Sequence, residues 1–220
     1  MRNLKRALSL ALASVMVMGL MVVGTGAAYD DVSSKQNQEA IEVLQEVGVM
    51  TGDENGNFNP DALVTRNEMA VVMSNLMDYR VASYAGTSPF TDVPAWCQPY
   101  VGYAYEQGLT KGVDDAAMLF GTADYVTAGQ YVTFILRALG YQDSGDTPDF
   151  TWDTALQRGM DLGILTDGEY KMLMEEPYLR AQVAYLSYFA LEHTYKDRAE
   201  TLQTQLTTSG VLDAADVAAV

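Results

Sequence analysis

Two arginines stand where helices ought to begin. Arg66 follows Thr65 in "VTRNEMAVVM", and Arg180 follows Leu179 in "YLRAQVAYL". Thr65 with Glu68 makes a capping box, in which the Thr hydroxyl accepts from the N3 amide while the Glu carboxylate reaches back to the N-cap amide. Thr127 and Gln130 repeat the pattern. Capping explains these residues and leaves the arginines unexplained, because a cation at the first helical position faces the positive end of the helix dipole. At the surface that placement is unfavourable by roughly 0.3 kcal/mol or more. A guanidinium beside free helix amides is, however, a planar cluster of donors suited to a carboxylate or another oxyanion. Its recurrence at Arg180, with Ala128 at the matching place between them, suggests a bound ligand.

Other chemistries find less support. In "DENGNFNPDALV" Asp53, Asn55 and Asn57 occupy loop positions one, three and five of a calcium loop, but positions six and twelve hold Phe58 and Val64 where an EF-hand requires Gly and Glu. The one histidine, His193, sits beside Glu192 with no second histidine for a zinc site, and there is no Gly-x-Ser-x-Gly elbow. No pair of carboxylates stands out for glycan hydrolysis among so many acids. The expectation is a chain that is not an enzyme and has no cofactor and no metal site.

The elements that must position the arginines come from an internal repeat of about sixty residues. "YDDV" at Tyr29 is echoed by "FTDV" at Phe90, and "FNPDALVT" at Phe58 by "FGTADYVT" at Phe120. "AIEVLQEVGVMTG" parallels "YVGYAYEQGLTKG", and a more eroded copy reads "TALQRGMDLGILTDG". Each unit reads as helix, loop, helix, with Gly48, Gly108 and Gly163 closing the first helix. The second helices carry apolar stripes at helical spacing: Met69, Val72, Met73, Leu76 and Met77 in the first unit, then Tyr131, Phe134, Ile135, Ala138 and Leu139, then Val183, Leu186, Ser187, Ala190 and Leu191. A unit with one apolar face per helix cannot bury it alone, so the units are expected to share an all-α core built from the second helices.

The chain opens with Arg2, Lys5 and Arg6, runs apolar from Ala7 to Val23, and ends that stretch on Gly26, Ala27 and Ala28. This is the pattern of a secretory leader cut after Ala28. The single Cys97 rules out a disulfide within one chain and reads as a partly buried thiol. With 13 basic and 29 acidic residues the formal charge is −16, and loss of the leader would bring it to about −19. Such a chain repels nucleic acid and anionic lipid. The expected partners exclude nucleic acid, and no membrane span is expected once the leader is removed.

An aromatic-x-Asp-Val start, a helix ending in Gly, an Asn-Gly-x-Phe turn with Pro, and Thr-Arg-x-Glu opening a second helix together resemble the S-layer homology family. The first unit, "GVMTGDENGNFNPDALVTRNEMAVVM", carries the resemblance most fully. It implies a pseudo-threefold arrangement of three helix-loop-helix units around a central helical bundle, whose grooves hold secondary cell-wall polymer, often a glycan bearing pyruvate ketals. The family's arginine falls on Arg66 and Arg180, and its tryptophan falls on Trp96, five residues before Val101, where it would offer a flat face to a sugar ring. The second unit departs with "TAGQ", the first has Gln36 at the tryptophan place, and the third has Leu179 for the capping Thr.

The expected organisation is a leader over 1–28, repeats over 29–89, 90–149 and 150–195, and a helical tail over 196–220. The expected function is an exported, non-catalytic cell-wall and cell-surface protein that binds secondary cell-wall polysaccharide. The alternative is a structural surface-layer component whose degenerate repeats associate with other surface-layer proteins instead.

Overall fold

The computed structural model describes residues 29–33, 38–175 and 177–212, so the expected leader and Gln36 lie outside the described residues. Within them the protein is all-α, with eight α-helices and no strand. They are α1 (Gln38–Glu46), α2 (Arg66–Met77), α3 (Gln98–Glu106), α4 (Ala128–Ala138), α5 (Ala155–Asp161), α6 (Asp167–Leu173), α7 (Arg180–Ala190) and α8 (Leu202–Thr208). No helix among the described residues is long and apolar enough to cross a membrane.

The boundaries of α2 and α4 follow from side-chain chemistry. Thr65 and Glu68 form a complete capping box at the start of α2, and Thr127 with Gln130 does the same for α4. At α7 only the reach-back survives: the Gln182 amide oxygen accepts from the Leu179 N–H at 2.7 Å, because leucine has no oxygen to offer. The stripes read from helical spacing are turned inward. Met69, Met73, Leu76, Tyr131, Ile135, Leu139, Val183 and Leu186 are all buried in one core, and each such side chain stabilises the fold by roughly 1.5–3 kcal/mol relative to exposure.

Each of three short helices packs on a longer one: α3 lies against α2, α5 against α4, and α1 against α7. The first described helix therefore meets the last long one. Asp31 and Asp92, the acids of the two aromatic-x-Asp-Val starts, clamp the turns that precede α2 and α4. Asp31 accepts from the N–H groups of Phe58 (2.9 Å) and Asn59 (2.7 Å). Asp92 accepts from Phe120 (2.7 Å), Gly121 (2.8 Å) and Thr122 (3.0 Å). The aromatic that opens each motif packs on the Phe of the same turn, Tyr29 on Phe58 and Phe90 on Phe120.

Each first helix ends in the same way. Gly48, Gly108 and Gly163 have φ of +73°, +71° and +70°, and the two residues after each glycine both donate to the carbonyl five and six positions back from them. Gly210, in the expected tail, shares this geometry: φ is +72°, and the amides of Val211 and Leu212 both meet the Leu206 carbonyl. The tail is bound into the core through Leu202, Leu206, Val211 and Leu212.

Two features differ from the sequence-based expectation. The third unit does not run directly from loop to second helix, because Thr166 and Glu169 form a further capping box that starts α6. Glu169 is buried there, and its other oxygen accepts from the Tyr185 hydroxyl at 2.6 Å. Cys97 is fully rather than partly buried, packed with Phe90, Val101 and Phe120, since it lies in the 3-10 turn Ala95–Cys97 that leads into α3.

Candidate anion-binding site

Arg66 is not a surface cation: the residue is only 4% exposed. Its backbone N–H donates to the Asp124 carbonyl at 2.9 Å, and its Nε–H donates to the Phe120 carbonyl at 2.7 Å. The guanidinium carbon lies 4.8 Å from the centre of the Phe120 ring, a cation–π distance. Burial lowers its pKa, Asp124 and Asp92 oppose that shift, and Arg137 adds to it. An arginine so placed stays charged at neutral pH. The unfavourable dipole position is offset by a carbonyl and a ring supplied by the next repeat.

Arg180 repeats the arrangement on the turn of the first repeat. Its Nε–H donates to the Phe58 carbonyl (2.9 Å), its backbone N–H to Ala62 (2.9 Å), and its guanidinium lies 4.8 Å from the Phe58 ring centre. The two junctions then diverge. A terminal amino group of Arg180 also donates to the Thr51 carbonyl at 2.8 Å, and the charges around it include Glu68 and Asp53. The terminal amino groups of Arg66 meet no acceptor among the described residues, and a second cation, Arg137, stands near.

A cleft of about 240 Å³ lies where they converge. Its polar wall is formed by Arg66, Arg137, Gln130, Thr110 and Thr133. Val113, Phe134 and Trp152 supply the apolar wall, and Gly112 completes it. Trp152 is 74% exposed at the mouth. Arg137 is held in place by donating to the Leu109 carbonyl at 2.8 Å and to Asp143, which also accepts from Lys111 at 2.6 Å. Its buried Nε has no partner among the described residues. Two guanidinium groups, an amide, two hydroxyls and an indole face place hydrogen-bond donors beside an apolar surface, chemistry that suits a small acidic, partly apolar group.

Of the residues proposed from sequence, the structure brings Arg66 and Gln130 into this cleft. Thr65 and Glu68 cap the helix that carries Arg66, and Thr127 caps the one that carries Gln130. Arg180 belongs to the other junction. Trp96, 59% exposed on its 3-10 turn, is not among the cleft's lining residues. Sequence reasoning missed Arg137 and Trp152. Arg137 had a usable signal, since Gln130, Thr133, Phe134 and Arg137 share one face of α4 at helical spacing. Trp152 precedes α5 in irregular chain and had no periodic context to mark it. No group of His, Cys, Asp and Glu suited to a metal ion occurs among the described residues.

Residues 28–70 match the family model "S-layer homology domain". The chain is 28% identical over 144 residues to the "Surface-layer 125 kDa protein" of Lysinibacillus sphaericus, covering 64% of this chain and 12% of that protein. It is 30% identical over 111 residues to the "Surface layer protein" of Brevibacillus choshinensis, covering 49% of this chain and 10% of that one. A third match, 28% identical over 89 residues, is to "Endo-1,4-beta-xylanase A" of Thermoanaerobacterium saccharolyticum, covering 40% of this chain and 8% of the enzyme. The chain thus spans about a tenth of the length of these relatives. The domain match and the surface-layer relatives assign the chain to the exported proteins of the cell surface.

Proposed function

We propose, on the premise that residues 28–70 are an S-layer homology domain, that this cell-surface protein is non-catalytic and holds an acidic cell-wall polysaccharide non-covalently. The ligand class is secondary cell-wall polymer, with a carboxylate such as a pyruvate ketal entering the cleft between Arg66 and Arg137 and a sugar ring lying on Trp152. The observation that supports this is a pair of guanidinium groups at one sugar-sized cleft on a chain of formal charge −16. On so acidic a surface, only a local concentration of cations can attract an anionic glycan. Arg180, which donates to the carbonyls of Phe58 and Thr51, serves the packing of one repeat on another. The second reading, association with other surface-layer proteins, draws on the same junction.

The test is co-sedimentation with purified, protein-free cell wall. Trp152→Ala and Arg137→Ala are expected to lower retention at least about fivefold, the loss of roughly 1 kcal/mol. Arg80→Ala, at an exposed ion pair with Asp78, should leave it unchanged, and depyruvylated wall should retain none of the three differently. Equal retention of Trp152→Ala and Arg80→Ala on native wall would overturn the assignment.

A further inference from the structure

Gln130 and Glu68 do the same job for the fold and differ in the chemistry they leave unused. Both are the N3 residue of a capping box. Glu68 Oε2 accepts from the Thr65 N–H at 2.7 Å and from the Thr65 hydroxyl at 2.8 Å, which leaves its other oxygen as an acceptor that carries negative charge. Gln130 Oε1 accepts from the Thr127 N–H at 3.2 Å. An N–H can be met only by the amide oxygen, so this bond fixes the orientation of the amide and leaves Nε2 as the unused end. That end is a donor, and Gln130 lines the cleft with Arg66 and Arg137. Glu68 in turn is a charge neighbour of Arg180.

We infer that Gln130 is the residue that makes the Arg66 cleft accept an anion: its Nε2 donates to the acidic group of the ligand, whereas Glu68, at the matching position one repeat earlier, makes the Arg180 junction reject one. This rests on the anion-binding reading above and adds its specificity and stoichiometry, one acidic group per chain. A carboxylate at position 130 would supply Arg66 with an internal counter-ion, as Asp143 already does for Arg137, and close the cleft to an external one. The cap would be retained, because glutamate already serves in that role at Glu68 and Glu169.

The experiment titrates the full chain with sodium glucuronate, using glucose as the neutral control, and follows the indole N–H resonances of the two tryptophans. In the unaltered protein the Trp152 signal is expected to shift saturably with glucuronate and not with glucose, while Trp96 stays still. Gln130→Glu should weaken glucuronate at least about tenfold with an unchanged thermal midpoint, and Glu68→Gln should leave the Trp152 titration as it was. Gln130→Met, which removes the donor and adds no charge, should fall between the two. A Gln130→Glu protein that binds glucuronate as tightly as the original, or a Met variant weaker than the Glu variant, would overturn this inference and leave the cleft's function standing. Absence of any Trp152 shift in the unaltered protein would remove the anion-binding reading itself, and the inference with it.

Discussion

The Nε–H of Arg66 donates to the carbonyl oxygen of Phe120 at 2.7 Å, joining residues 54 apart in the sequence. The bond ties the first turn of one repeat's second helix to the turn of the next, and Arg180 makes the same bond to Phe58. One edge of the guanidinium therefore belongs to the fold. At Arg66 the other edge remains for the cleft, whereas at Arg180 it is directed to Thr51. A cation at an unfavourable helical position is the mark of this junction, and the ligand contact proposed for Arg66 depends on what surrounds its leftover donors.

Removal of the Arg66 side chain leaves the Phe120 carbonyl without its donor and opens space beside a buried ring. Arg66→Ala is expected to cost about 2–4 kcal/mol in urea-unfolding experiments. Arg66→Lys keeps the charge and loses the planar fork, so it should cost about 1–2 kcal/mol. Arg80→Ala should stay within about 0.5 kcal/mol.

Acid should loosen the turns that hold the arginines in place. Bonds from the Asn57 amide and the Asn59 side chain, with smaller help from Asn55 and against a small effect of burial, hold Asp53 down to about 2. Burial pushes Asp92 up, but the amides of Phe120, Thr122 and Gly121 outweigh it and leave its pKa below the ordinary carboxylate value. A group whose native pKa is depressed contributes its full stability above its unfolded pKa of about 3.9, and loses it as pH falls through the native value. Thermal midpoints should therefore fall between pH 4 and pH 2, and Asp92→Asn should flatten that part of the profile.

What was legible in the sequence is what local chemistry dictates. Thr65 with Glu68 and Thr127 with Gln130 announce helix starts because capping needs only four adjacent residues, and the apolar stripes are buried because spacing alone sets which face a residue joins. Helix α6 escaped notice although Thr166 and Glu169 carry the same signature, since the eroded third repeat was read by analogy with the loops of the first two. Arg137 and Trp152 were missed for a different reason. The cleft exists only where Arg66, the loop at Thr110, helix α4 and the chain before α5 converge, and no spacing along the chain encodes that convergence.

Cys97 is expected to be inert while the protein is folded. Burial pushes its thiol up to about 12, and its sulfur is directed at the Asn67 carbonyl. Since the thiolate is the nucleophile, alkylation by iodoacetamide at pH 8 should be about a thousandfold slower than in the urea-unfolded chain. Labelling at comparable rates in both states would show that the 3-10 turn opens readily.

Gly108 and Gly112 separate two demands that the backbone makes near the cleft. Both have positive φ, +71° and +78°. A Cβ at Gly108 would meet nothing within 4 Å, so Gly108→Ala carries only the conformational penalty, about 1 kcal/mol. A Cβ at Gly112 would stand 2.5 Å from the Leu119 carbonyl oxygen and equally close to the Phe90 ring, neither of which can retreat without disturbing the turn that presents Phe120 to Arg66. Gly112→Ala should therefore cost about 2 kcal/mol or more beyond Gly108→Ala in chemical denaturation. Because Gly112 also lines the cleft, it should weaken wall retention while Gly108→Ala leaves retention intact. Equal losses of stability in the two variants would show that the backbone at Gly112 relaxes freely and that the turn does not fix the Arg66 junction.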